Sequence, residues 1–316
     1  MKGITIFLVV LGHCIQYGNG KDFDFFSDTA FKIIYSFHMP LFALVSGYLF
    51  FWSVSSRHPG EVILRQVNNL ILPVFSWTLL MNIIDTLAHI YGGGFQGINI
   101  TLWNISRGLI SGFWFLRAMF IASMIVLFVR EKLSDSLKYY ALILIFLLFV
   151  PGSGDVFMYP YFVAGYICHR EGFAEKFCCS KFMCLVLILA WCILLMFYDN
   201  SSYIYTTGTS IIDYKHGCFK AGHTMTDIFR WLIGFVGCGA VLILLRLIHP
   251  VKFIAAIGTR SLGIYIMSGY FMRFLPEMVG YAANFAEAVV ITALCYAISE
   301  AISRVKVLNR ILFGGR

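Results

Sequence analysis

The chain has 316 residues, 59% hydrophobic and 13% charged, whereas soluble domains carry about 25% charged residues. That balance excludes a soluble globular protein and makes an all-α integral membrane protein the expected class. The formal net charge of +8 is spread over short segments between apolar runs, where basic residues set topology. The expected partner surface is therefore the lipid bilayer and not nucleic acid.

A helix needs about 20 apolar residues to span a bilayer. On that rule a bundle of about ten transmembrane helices is expected, at roughly 3–19, 31–54, 69–91, 112–129, 138–151, 155–168, 182–199, 228–248, 252–274 and 281–303. Apolar segments run from end to end, so residues 1–316 are expected to form a single transmembrane domain. Lys2 followed by an apolar run resembles a signal peptide, but no small-residue cleavage site follows, and an uncleaved first span is expected. Lys and Arg divide about 15 to 7 in favour of the side holding Lys2, Arg65, Arg130 and Arg310, which places both termini in the cytoplasm. Pro151-Gly-Ser-Gly154 and Gly92-Gly-Gly94 read as turns, and 200–227 is the longest polar loop. Asp213, His216 and His223 in that loop fit no recognised ligand spacing and read as solvated. The nine cysteines include no Cys-x-x-Cys pair and read as small buried hydrophobes, so neither a metal site nor a disulfide framework is expected.

Several polar side chains interrupt the spans. His13 lies eleven residues beyond Lys2, about 16 Å into the membrane at 1.5 Å per residue, and His38 in the descending second span reaches a similar depth. An ionisable group at that depth is functional by default, although His38 equally suits a bond to a neighbouring helix. Tyr265 and Ser268 fall near mid-membrane and Arg117 in the outer half. The Arg117 guanidinium must find an anion, a carbonyl cluster or water. Trp114 suits an interfacial anchor, and Ser46-Gly47 a notch between close-packed helices.

Several segments, in order, resemble the membrane acyltransferase type 3 family, the O-acyltransferases of bacterial surface polysaccharides. They are Lys2-Gly-Ile…Val-Val-Leu-Gly-His13, Phe37-His-Met-Pro-Leu-Phe…Ser46-Gly-Tyr48, Arg65…Leu72-Pro73…Trp77, Phe113-Trp-Phe-Leu-Arg117, Phe162…Gly165-Tyr166 and Ser261-Leu-Gly-Ile-Tyr265. Lys2 stands where the family usually has arginine, and Ser268 where a histidine often follows. Relatives tend to begin several residues earlier, which makes Met1 a candidate internal start.

The resemblance implies transfer of an acetyl or other acyl group from cytoplasmic acyl-CoA, such as acetyl-CoA, to a hydroxyl of an extracytoplasmic sugar or polysaccharide. The bacterial inner membrane is the implied location, and no cofactor is implied. His13 would be the general base or a transient acyl carrier, with His38 assisting. Arg117 or Tyr265 would stabilise the oxyanion, Lys2 and Arg65 would hold CoA phosphates, and Trp114 and Ser268 would line the substrate site. The competing reading is a secondary transporter or flippase that uses the same histidines as a proton relay. Internal repeats, the usual mark of such carriers, are not seen in the sequence.

Overall fold

The computed structural model describes residues 1–20, 22–92, 98–150, 154–173, 181–204, 211–213, 218–247, 252–274 and 279–315. The predicted turns at 93–94 and 151–153, and His216, lie outside those residues. Fourteen α-helices are described: α1 (Lys2–Gly18), α2 (Thr29–Ser55), α3 (Pro59–Gln66), α4 (Leu72–Tyr91), α5 (Ile98–Ser111), α6 (Trp114–Lys132), α7 (Leu137–Leu147), α8 (Gly154–Arg170), α9 (Lys181–Met196), α10 (Ala221–Leu247), α11 (Lys252–Thr259), α12 (Ser261–Phe271), α13 (Tyr281–Arg304) and α14 (Lys306–Phe313). The described strands are Ile212–Asp213 and Cys218–Phe219, an antiparallel pair in the long polar loop.

Among the described residues four helices are long and apolar enough to cross a membrane: Thr29–Ser55, Pro59–Tyr91, Gly222–Leu245 and Tyr281–Arg304. The pair Asn99–Ser111 and Trp114–Lys132, bent by 49°, makes a fifth if it is one span. The protein is thus an all-α membrane protein with four or five candidate spans by length and composition. Three more of the ten expected segments form shorter apolar helices, α1, α7 and α9.

Two features depart from the expectation. The run expected at 252–274 is broken at Arg260 into α11 and α12, and the Arg260 guanidinium turns to the Glu300 carboxylate of α13, 2.9 Å away. Residues 98–111 form a helix, α5, although Asn99, Asn104, Ser106 and Arg107 give it the polarity of a loop.

Local chemistry explains the main boundaries. Asp28 caps α2, its carboxylate accepting from the Phe31 amide at 2.8 Å. Between α3 and α4, Pro73 lacks the N–H that would bond to the Asn69 carbonyl, and the ladder widens there into a π-turn over Val67–Ile71, with the Leu72 amide bonded to the Val67 carbonyl. The short helix α14 docks on α4 beside this turn, where the Trp77 indole donates to the Leu312 carbonyl at 2.9 Å and Phe313 is buried.

The packing centre is the crossing of α2 on α8. Gly47 faces the Phe162 carbonyl and Gly165 faces the Leu44 carbonyl, each so closely that a Cβ would overlap backbone. The Ser46-Gly47 notch therefore serves close helix packing. Helix α1 is surrounded by α2, α11, α12 and α13, and its first turn nests on α11, with no room for a Cβ between Gly3 and the Ile254 carbonyl. Gly165→Leu should force α2 and α8 apart, at a cost above the usual overpacking range of about 1–3 kcal/mol, because backbone yields less than side chains. A thermal unfolding midpoint in detergent equal to that of the parent would count against this.

Candidate active site

Helices α1 and α2 bring the two predicted histidines to one place, with Tyr35 between them. The Tyr35 hydroxyl donates to Gln16 Oε1 at 3.2 Å and lies 3.4 Å from His13 Nδ1. His13 Nδ1 is also 3.3 Å from Gln16 Oε1. With the Tyr35 proton directed to Gln16, His13 Nδ1 is the donor in this triangle, and in the neutral ring its Nε2 keeps a lone pair. The His38 ring packs edge-on against Tyr35, centroids 4.7 Å apart. Its Nδ1 donates to the Ile34 carbonyl at 2.7 Å, so the neutral ring again presents Nε2 as a lone-pair acceptor. His13 is half-buried and stacks on the exposed Tyr17, whereas His38 is buried. Both imidazoles thus share one tautomer, which suits them to take a proton at Nε2.

Two cavities share Met39, the residue after His38, in their linings, and His13 lines neither. The larger, about 770 Å³, opens among Lys2, Arg57 and Arg65 and runs inward to Met39, Phe115 and Tyr265. Its mouth is basic and its inner wall apolar. Asn69, on the π-turn, also lines it. The smaller, about 30 Å³, is lined by Tyr35, His38, Met39, Trp114, Phe157, Tyr203 and Arg230 among others. Of the predicted residues, Lys2, Arg65 and Tyr265 thus share the larger cavity, while His38 and Trp114 share the smaller. The place of Trp114 beside His38 gives the indole a role in the site wall, which its position near a membrane face did not suggest.

The remaining predicted residues are occupied locally. Arg117 Nη1 donates to the carbonyls of Leu109, at 3.1 Å, and Ile110. The carbonyl cluster it requires is the last turn of α5, and the bond closes the bend between α5 and α6. The Ser268 hydroxyl donates to the Tyr265 carbonyl at 3.3 Å within its own helix. Among the described residues no three His, Cys, Asp or Glu side chains converge as a metal site.

Sequence reasoning passed over four residues that build this site: Gln16, Tyr35, Asp227 and Arg230. Arg230 is 2% exposed and forms an ion pair of 2.9 Å with Asp227, itself 1% exposed. Its other donors reach the carbonyls of Ser202 at 2.7 Å, Ser201 at 2.9 Å and Tyr203 at 3.0 Å. One guanidinium thereby ties the segment after α9 to α10. Asp199 organises the same segment by capping Asn200–Ser202, and the Ser201 hydroxyl bonded to it holds its carboxyl below the ordinary carboxylate range. The clamp lays the Tyr203 ring against Phe31 and Tyr35, centroids 5.5 and 6.3 Å apart, and so roofs the histidine pair. The sequence signal was a charged pair at i, i+3 inside an apolar helix.

The family model described as an acyltransferase domain matches residues 1–304, a stretch that contains every residue of both cavities. The chain belongs to this acyltransferase family. Among curated relatives of this chain, the nodulation protein NolL of Sinorhizobium fredii is 35% identical over 120 residues, 38% of this chain and 32% of the relative. The nodulation protein NolL of Mesorhizobium japonicum is 34% identical over 126 residues, 40% of this chain and 33% of the relative. Each match thus spans about a third of the curated relative. No solved structure matches the chain.

Proposed function

We propose that this acyltransferase is a multi-pass O-acyltransferase of the bacterial plasma membrane. It moves an acetyl or other acyl group from cytoplasmic acyl-CoA to a hydroxyl of an extracytoplasmic sugar or surface polysaccharide. The observation that carries the proposal is the pairing of a large, basic-mouthed cavity with a small histidine cavity across one shared wall. A CoA ester has the matching shape, anionic phosphates at one end and a reactive thioester at the other. The proposal keeps residues 1–316 as one transmembrane domain with both termini in the cytoplasm, and adds α1, α7, α8, α9 and the broken pair α11–α12 to the five longer spans to make about ten.

In this reading Lys2 and Arg65 hold the CoA phosphates by charge-assisted hydrogen bonds. The thioester extends toward Met39, and the Tyr265 hydroxyl stabilises the developing oxyanion. The sugar hydroxyl arrives from the opposite end, where His13 is half-exposed beside Tyr17. His13 Nε2 takes the hydroxyl proton, and the oxygen attacks the thioester carbonyl. The C–S bond then breaks, and the departing thiolate takes the proton back from the imidazolium, leaving CoA and the ester with no net proton change. His38, its ring oriented by its bond to the Ile34 carbonyl, fixes Tyr35 and with it the His13 tautomer. Arg117 enters the proposal through the α5 carbonyls it binds, holding the wall that carries Trp114, and Ser268 supports the backbone beside Tyr265.

Labelled acetyl-CoA supplied to purified protein in proteoliposomes tests the reading. Label should pass to an added glycan and stay outside the lumen when glycan is withheld, whereas glycan-independent accumulation inside would favour a carrier. Arg65→Ala should raise the KM for acyl-CoA about tenfold with kcat little changed, the signature of lost ground-state binding. An unchanged KM would remove Arg65 from the donor site.

A further inference from the structure

Met39 belongs to the linings of both cavities. On one side lies the space of about 770 Å³ whose mouth holds Lys2 and Arg65, and on the other the space of about 30 Å³ that holds His38 and Trp114. The residue is 8% exposed and directly follows His38. Its side chain is unbranched and flexible, so it can turn aside without moving helix α2. Most other walls of the small cavity are stiffer: Trp114, Phe157, Tyr35 and Tyr203 are rings with few rotamers, and Tyr203 is backed by the Arg230 clamp; a second methionine, Met158, also lines it, but Met39 alone is shared with the larger cavity.

A water-sized sphere needs about 10–15 Å³ of such space, so the small cavity admits two or three heavy atoms. The acetyl group of a thioester has three, one methyl carbon, one carbonyl carbon and one oxygen. Each added methylene presses further on the ring walls than an acetyl group does.

We infer that Met39 is the partition across which the acyl group reaches the side of His38, and that it limits the transferred group to acetyl. The inference rests on the acyltransferase reading above and specifies its donor. Met39 acts as a specificity-determining wall and takes no part in bond making.

The test measures CoA release and label transfer to glycan in membranes of the source cells, which carry the native acceptor, after replacement of the chromosomal gene. Donors are labelled acetyl-, propionyl-, butyryl- and hexanoyl-CoA. The parent protein is expected to prefer acetyl over butyryl by about 100-fold in kcat/KM, the low end for two excluded methylenes at about 10-fold or more each. Met39→Ala should bring that ratio below about 5-fold, and the volume-conserving Met39→Leu should keep it near the parent value.

A folded Met39→Ala protein with the parent's chain-length profile overturns the inference and leaves the acyltransferase reading intact. A parent protein that takes hexanoyl as readily as acetyl does the same. Failure of the folded parent to transfer any acyl group overturns the reading itself. Should Met39→Ala fail to fold, Met39→Val, which removes less volume, is read on propionyl-CoA, and an unchanged propionyl-to-acetyl ratio then overturns the inference.

Discussion

In the His13→Ala protein, acyl transfer is expected to fall by about two to four orders of magnitude, the range for loss of a general base. Expression and detergent stability should stay near the parent's, because the packing face of α1 is built from Ile6, Val9, Val10 and Cys14, while His13 is only half-buried. The loss should appear in kcat, with acetyl-CoA affinity kept, since His13 does not line the donor cavity. Full residual transfer by a well-folded variant would remove His13 from the mechanism. Tyr35→Phe is the companion measurement: it deletes the hydroxyl beside His13 Nδ1 while keeping the ring against His38. Its defect should be smaller than that of His13→Ala and of the same kind.

The second large effect concerns stability. Arg230→Ala leaves the Asp227 carboxylate buried without its 2.9 Å partner and takes the donor away from three backbone carbonyls. Breaking one side of a buried pair costs about 3–5 kcal/mol, enough to release the segment that carries Tyr203. Thermal unfolding and limited proteolysis between α9 and α10 should both report it, and acyl transfer should fall along with them. Replacing both partners by apolar residues of similar volume, Asp227→Leu with Arg230→Met, should recover part of the lost stability because no orphan charge remains. An Arg230→Ala protein as stable as its parent would show that the guanidinium is not the fastening.

Much of the architecture could be read from residue order, because lipid imposes a narrow solution on long apolar runs. Helical rise alone put His13 and His38 at one depth, and Tyr35 does join them. The sequence did not disclose which face each histidine presents, since that depends on the rotation of α1 and α2 about their axes. Those rotations are set by glycine contacts with α11 and α8 that involve residues far away in the chain. Arg117 was legible as a group in need of carbonyls, but the carbonyls belong to α5, whose polar residues hid a helix. Arg230 was legible only as a topology charge, because its partners at 201–203 lie 27–29 residues away and are backbone atoms that carry no sequence signal. The break at Arg260 was obscured by an apolar run that continues on both sides of it.

The crossing at Gly47 and Gly165 bears on how chemistry could pass from one face of the bilayer to the other. Helix α2 carries His38 and Met39, and its backbone rests directly on that of α8, leaving little freedom to rock or slide. Carriers work by swinging halves of the molecule around a site. Here the site's own wall is bolted down, and the transfer proposed above asks only that a few atoms pass a still barrier, with neither donor nor acceptor changing sides.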